Sequence, residues 1–395
     1  MNKLPLIASV FAATTALAPA AHADFDGCLS SLRSAAAAQG VSGSTFDRVM
    51  AGVSPDPKVI ESMNSQPEFK TPIWDYLATL VDEQKVAEGR QMMSRHARAL
   101  ASAEQRFGVD RYAIAAVWGV ESDYGSIAGR WSLPQSLSTL ACTPNRRQAY
   151  FRGELIATMK IVERGDIAPS KLRGSWAGAF GQTQFMPSTY LRLAVDGDGD
   201  GRRDLVDSTA DALHSTANYL ARSGWVTGAG WGYEVRLPQG YSGPSGRTRK
   251  TGLGQWSALG IRKIDGSSLT GSGAAGLLLP AGSNGPAFLV FKNYDAAYAY
   301  NGADSYALAI SLLSDRLRGR GGVQAPWPTN DRGLSRAERK EVQEHLLRRG
   351  YDIGEADGAI GAKTRQAIAD YQARIGLPRD GRPGGQVLDS LRSGR

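Results

Sequence analysis

Histidine and cysteine are scarce in this chain: four and two among 395 residues. Only His96, His214 and His345 lie beyond the N-terminal apolar stretch, none in an HExxH pattern and none beside a cysteine, so a zinc amidase or peptidase would lack ligands. There is no GxSxG elbow, which removes that serine-hydrolase signature. Past the N-terminus no apolar run is long enough to span a bilayer. Carboxylate chemistry is what these absences leave.

The first residues read as an address: Lys3 gives a positive start, Leu4 to Leu17 is almost uncharged, and Ala21-His22-Ala23 fits the small-x-small cleavage rule. Export with cleavage after Ala23 is expected, hence a periplasmic protein. Cys28 follows Phe25-Asp26-Gly27, which is no lipoprotein box, so no stable membrane anchor is expected. In an oxidising compartment Cys28 and Cys142 are expected to form a disulfide, which disfavours a thiol nucleophile.

Hydrophobic residues make up 42% and charged residues 21%, as in globular proteins, and the length suits two or three domains. A net charge of +8 suits an acidic polymer: nucleic acid, anionic lipid or bacterial wall. The basic residues are scattered and form no nucleic-acid module, so nucleic acid is not expected as a partner.

Helical patterns dominate up to about residue 229, and Val86, Met93, Ala97, Leu100 and Ala101 predict one long amphipathic helix over 82–106. Residues 230–285, rich in Gly, Ser and Pro, predict hairpins and loops. Helix signals return at 305–318. Residues 319–333, containing GRGGVQAPWPTND, read as a linker, and 334–395 as a separate unit. That unit has two short amphipathic patterns, around Val342, Leu346 and Leu347 and around Ala367, Ile368 and Tyr371. Asp357-Gly358-Ala359-Ile360-Gly361-Ala362-Lys363-Thr364 between them resembles the DGxxGxxT turn of the three-helix peptidoglycan-binding domain. A small helical cap with no ligand is the alternative. If the resemblance holds, the unit anchors the protein to the wall and takes no part in bond cleavage.

The most informative stretch is Asp110 to Gly125, DRYAIAAVWGVESDYG. Ile114, Val117, Trp118 and Glu121 fall at i, i+3, i+4 and i+7, so Glu121 shares a helix face with three apolar residues. Desolvation on such a face raises a carboxyl pKa and keeps the group protonated, ready to donate to a leaving oxygen. Periodicity alone leaves open a helix-end glutamate that turns into solvent.

Val120-Glu121-Ser122 ahead of Tyr124-Gly125, followed by Ala179-Phe180-Gly181-Gln182-Thr183-Gln184-Phe185-Met186-Pro187-Ser188, resembles the membrane-bound lytic transglycosylase B family, with Ala217-Asn218-Tyr219-Leu220 and Gly224-Trp225 beyond. The likeness spans about 25–318. It implies a mainly α (α+β) architecture: a lysozyme-like catalytic domain over 24–318 with a small β/loop insert, before the linker and the three-helix domain. It also implies Glu121 as sole catalytic acid and base, and Ser175, Gln184, Tyr219, Tyr300, Asn301 and Tyr306 as substrate-binding residues. The implied activity is cleavage of the bond between N-acetylmuramic acid and N-acetylglucosamine with a 1,6-anhydro product. Glycan strands would be the partner of a monomeric enzyme that needs no catalytic cofactor. A hydrolytic muramidase would need a second carboxylate, for which Asp123 is close in sequence but off the Glu121 face. A noncatalytic wall-binding scaffold is the remaining rival.

Asp196-Gly197-Asp198-Gly199-Asp200-Gly201-Arg202-Arg203-Asp204-Leu205-Val206-Asp207 has the spacing of an EF-hand-like loop: Asp196, Asp198 and Asp200 at positions 1, 3 and 5, Arg202 at 7, Asp204 at 9 and Asp207 at 12. A structural calcium ion is expected there, as members of the resembled family hold; a solvated acidic turn is the alternative. Asp207 in place of glutamate weakens the case for bidentate binding at the last position.

Overall fold

A computed structural model describes residues 18–64 and 71–394. The expected leader falls mainly outside them. The chain is mostly helical, with two small antiparallel sheets. In chain order come α1 (Ala18–Ala37), α2 (Gly43–Met50), α3 (Pro57–Asn64), α4 (Ile73–Leu80), α5 (Glu83–Arg95), α6 (Ala97–Phe107) and α7 (Arg111–Ser122). After β1 (Trp131–Ser132) follow α8 (Leu133–Cys142), α9 (Gln148–Glu163), β2 (Arg173–Gly174), α10 (Pro187–Leu193) and α11 (Thr209–Arg222).

Two apolar cores build this part. One packs α5, α6, α7 and α11 with a later helix, α14 (Asp304–Leu317), around Ile114, Val117, Trp118, Leu308 and Leu313. The other packs α1, α2, α8, α9 and α10 around Leu32, Phe46, Leu137, Leu155, Phe180 and Tyr190. The Cys28–Cys142 disulfide joins α1 to the end of α8 within the second core, as expected. Each fully buried Leu, Ile or Val contributes ~2 kcal/mol relative to exposure.

The expected long helix over 82–106 is instead two. His96 leaves helical geometry at φ −107, ψ 26, and its ring meets the Trp118 edge-on with centroids 5.4 Å apart. The turn keeps both faces packed: Val86 ahead of it and Leu100 behind it lie in the same core.

Residues 230–290 form a five-stranded antiparallel sheet with a helix, from β3 (Gly232–Arg236), β4 (Gly246–Thr251), α12 (Leu253–Ala258), β5 (Arg262–Lys263), β6 (Ala275–Leu278) and β7 (Ala287–Val290), in the order β4-β6-β7-β3-β5. β6 and β7 are buried along their whole length, between the first helical core and the insert's own core around Trp256, Leu277 and Leu289. α13 (Lys292–Asn301) and α14 return to the helical body.

Residues 319–333 lie against the body rather than hanging free. The Glu234 carboxylate accepts from the backbone N–H groups of Gln324 and Ala325, each at 2.8 Å, and Trp327 packs on Trp74. The C-terminal unit has a core of its own, with Leu334, Val342, Leu346, Ile368 and Leu388 buried between α15 (Arg336–Arg348), α16 (Ala362–Arg374) and α17 (Gly385–Arg392). A capping box between Ser335 and Glu338 starts α15. The unit docks on the helical body through Arg382, whose Nε and Nη2 donate to Asp75 at 2.7 and 2.8 Å. No helix among the described residues is long and apolar enough to cross a membrane.

Candidate active site

Asp110 starts α7 by accepting from the Tyr112 N–H at 2.8 Å, and the helix ends at Asp123 and Tyr124, both in the left-handed region. Tyr124 folds back under the helix. A Cβ on Gly119 would lie 2.6 Å from its ring, and one on Gly89 would lie 2.2 Å from its hydroxyl, so both positions require glycine for this close approach. The last turn of α7 is thereby fixed, and Glu121 sits in it.

Ile114, Val117 and Trp118 are buried, and the Glu121 carboxyl is lodged at the same face while the residue keeps some access to solvent. Burial raises its pKa from 4.5 to about 7, opposed by a hydrogen bond that its Oε1 accepts from the Tyr306 hydroxyl. Glu121 therefore does not swing free into solvent. Tyr306 lies on α14, 185 residues away, and its own ionisation is pushed well up by burial, which keeps the phenol a donor.

The aromatic neighbours form a continuous row. Tyr300 stacks on Tyr306 with centroids 6.2 Å apart at 18°, and Tyr219 meets Tyr300 at 4.6 Å. Phe185 lies 5.9 Å from each of Tyr219 and Tyr300. Tyr300 packs against both helical cores, which places the row and Glu121 at their seam. The hydroxyls are anchored: Tyr300 donates to the Thr183 carbonyl at 2.8 Å and Tyr219 to the Ala299 carbonyl at 2.6 Å.

The other expected substrate residues play visible local roles. The Gln184 side-chain amide donates to the Ala128 and Gly181 carbonyls at 3.1 and 2.8 Å, tying the second motif to the loop after α7. Its φ of 50 is a rare conformation for a residue other than glycine. Ser175 Oγ accepts from the Ala179 N–H at 3.0 Å and shapes the turn into that motif. Asn301 ends α13 and is exposed. Ser122 is a residue that sequence reasoning passed over: its hydroxyl donates to the Gln182 carbonyl and accepts from the Gly125 N–H, joining the two motifs.

Asp123 points elsewhere. Its carboxylate pairs with Lys85 and with Arg336. A cavity of about 600 Å³ lined by Trp74, Trp327, Asp331 and Gln386 lies under the C-terminal unit, and neither Glu121 nor the tyrosine row lines it.

The acidic loop gathers Asp196 and Asp198 with Asp211, a residue beyond the expected twelve; carboxylate oxygens from all three lie within 4.8 Å of one another. Asp211 is buried at the start of α11 and accepts from the Gly197 and Asp204 N–H groups at 2.8 and 2.6 Å. Of the other expected ligands, Asp200 pairs with Arg202 and Asp207 with Lys171, while Asp204 accepts from the Val206 and Asp207 N–H groups. Three clustered carboxylates are a donor set suited to a hard cation.

Residues 24–315 match the family model described as "Transglycosylase SLT domain", and residues 335–391 match "Putative peptidoglycan binding domain". The chain is 32% identical over 244 residues to the membrane-bound lytic murein transglycosylase B of Escherichia coli K12, an alignment that covers 60% of this chain and 65% of that relative. It is similar to the crystal structure of SltB3 from Pseudomonas aeruginosa in complex with NAG-anhNAM-pentapeptide, at 46% identity and a TM-score of 0.75, covering 93% of this chain and 99% of that one. An Escherichia coli lytic transglycosylase crystallised with calcium is 28% identical with a TM-score of 0.64, over 76% of this chain and 93% of its own. This chain belongs to the SLT-domain transglycosylase family and carries a C-terminal peptidoglycan-binding domain.

Proposed function

We propose that this protein is a periplasmic lytic transglycosylase that cuts peptidoglycan between N-acetylmuramic acid and N-acetylglucosamine, leaving a 1,6-anhydro muramyl end. The observation that carries this reading is the single carboxyl of Glu121, raised to about 7 by burial and held by Tyr306 at the seam of two cores. Protonated Glu121 donates to the glycosidic oxygen as the C1–O bond breaks. The resulting carboxylate then takes the proton of the muramyl 6-hydroxyl as its oxygen bonds C1. One proton leaves Glu121, one returns, and no water is consumed. The Tyr306 hydrogen bond favours the carboxylate formed midway.

Asp123 supports this reading over hydrolysis, because its commitment to Lys85 and Arg336 leaves it unsuited to activate water. Tyr219 and Tyr300 offer flat apolar surface to sugar rings, and Gln184, Asn301 and Ser175 contribute polar groups along the same strand path. Asp196, Asp198 and Asp211 would hold a calcium ion whose role is to brace the loop between α10 and α11. The C-terminal domain, which matches a peptidoglycan-binding family, would hold the enzyme on the wall.

Glu121→Gln is the direct test. Turnover of purified sacculi should fall by about 10²-fold or more while sacculus binding is retained, because the amide keeps the shape and loses the proton. A variant retaining more than about a tenth of wild-type turnover would remove Glu121 from the chemistry.

A further inference from the structure

The end of α7 is held from two domains at once. Lys85 on α5 is buried, donates to the Gly119 carbonyl at 3.0 Å and pairs with Asp123. That carbonyl also accepts from the Asp123 N–H at 3.2 Å, so the ammonium is a second donor to the last turn of the helix, where positive charge is favoured. The Tyr124 hydroxyl in turn donates to the Lys85 carbonyl at 3.1 Å. The second oxygen of Asp123 is taken by Arg336, the first residue of α15 in the C-terminal domain. Arg336 is itself braced: its Nε donates to the Asp357 carbonyl at 3.3 Å, and a Cβ on Gly358 would lie 2.7 Å from its Cγ. The Asp357-Gly358 turn, which carried the resemblance to wall-binding domains, therefore packs directly on the side chain that grips the catalytic helix.

We infer that Arg336 is a positioning residue for catalysis: through Asp123 it fixes the last turn of α7 and with it Glu121, so that the C-terminal domain is part of the active-site frame and not only a wall anchor. This rests on the assignment of Glu121 above. Asp123 occupies a left-handed backbone position two residues after Glu121. A helix end that must turn this sharply relaxes once one of its two charge partners is gone. Lys85 alone leaves one carboxylate oxygen unopposed beside the turn. Displacement of a reacting group by an ångström costs about 10²-fold in rate, so a partial loosening is expected to cost less than removal of the acid but to be plainly measurable. On this inference the domain contributes to bond cleavage through the frame as well as to anchoring.

The test uses the full chain and a short soluble glycan of two disaccharide repeats, which needs no wall anchoring. Arg336 is partly exposed, so Arg336→Gln should fold. The expected result is a kcat about tenfold below wild type with KM changed by less than about twofold, and recovery of at least half the loss in Arg336→Lys, which keeps the charge. Sacculus pull-down should be unchanged in both. If Arg336→Gln keeps a kcat within about threefold of wild type, or if only KM moves, the positioning role is overturned. Glu121→Gln is assayed in parallel: an inactive Glu121→Gln beside a fully active Arg336→Gln sinks this inference alone, whereas an active Glu121→Gln sinks the catalytic assignment on which it stands.

Discussion

A carboxyl that keeps its proton to about pH 7 fixes the sign of two pH dependences. Activity that needs the protonated acid should decline as pH rises through about 7. Stability follows by linkage. The folded pKa is raised above the unfolded value of 4.5, so the folded state binds the extra proton; its advantage is complete below 4.5 and is lost as pH rises through 7. Glu121→Gln lacks this proton exchange. It should therefore match wild type in thermal stability near pH 4 and exceed it near pH 8, by on the order of 2–3 kcal/mol. Melting curves at the two pH values check this; a variant less stable than wild type at pH 8 would contradict the buried, desolvated carboxyl. At this scale the helical spacing of its apolar neighbours made a buried Glu121 one of two readings, and family likeness was needed to favour it. Tyr306 carries no such local signal, since its role depends on a contact across 185 residues, and only family likeness pointed to it.

Among the elements, α7 and α14 follow from their apolar faces and their end signals, whereas the break between α5 and α6 does not. Nothing in the residues around His96 forbids a continuous helix; its ring leaves the helical path to pack on Trp118, which is a tertiary contact. The order β4-β6-β7-β3-β5 was likewise hidden, because pairing between strands far apart in sequence is decided by burial of β6 and β7 and not by turn residues. The acidic loop shows the same division. Its spacing announced a cation site, but Asp211 enters from the first turn of the next helix, outside the loop pattern. Calcium at about 100 times its Kd should stabilise the native state by about 2.7 kcal/mol. Asp211→Asn should abolish the calcium-dependent rise in melting temperature, and Asp207→Asn, whose carboxylate is paired with Lys171, should retain it. Calorimetry with calcium and with excess chelator reads this directly; a response that depends on Asp207 and not on Asp211 would restore the twelve-residue ligand set.

At the scale of the whole molecule, a Gly- and Pro-rich stretch with the composition of a tether lies pinned to Glu234 and Trp74, and the domain behind it is docked. Composition reports chain stiffness and cannot report which surface waits for the chain. Arg382 is central to that docking: it joins Asp75 of α4 and Asp331, and the Asp75 side chain is only 6% exposed. Removing one member of a buried pair leaves the other charge uncompensated, typically at a cost of about 3 kcal/mol. Wild type should then unfold in a single calorimetric transition, and Arg382→Ala should split it, with the C-terminal domain melting first. A single transition at an unchanged temperature in Arg382→Ala would show that the two domains are joined only by the chain.

The central claim is that bond cleavage at Glu121 proceeds by internal capture of the muramyl 6-hydroxyl. Mass spectrometry of the soluble products released from purified sacculi tests it most directly, because hydrolysis adds one water for each bond cut and transglycosylation adds none. The account predicts muropeptides ending in the anhydro sugar, formed in heavy-oxygen water without incorporation of the label, and absent with Glu121→Gln. Products with reducing muramyl ends that carry the label would contradict it and make the enzyme a hydrolase.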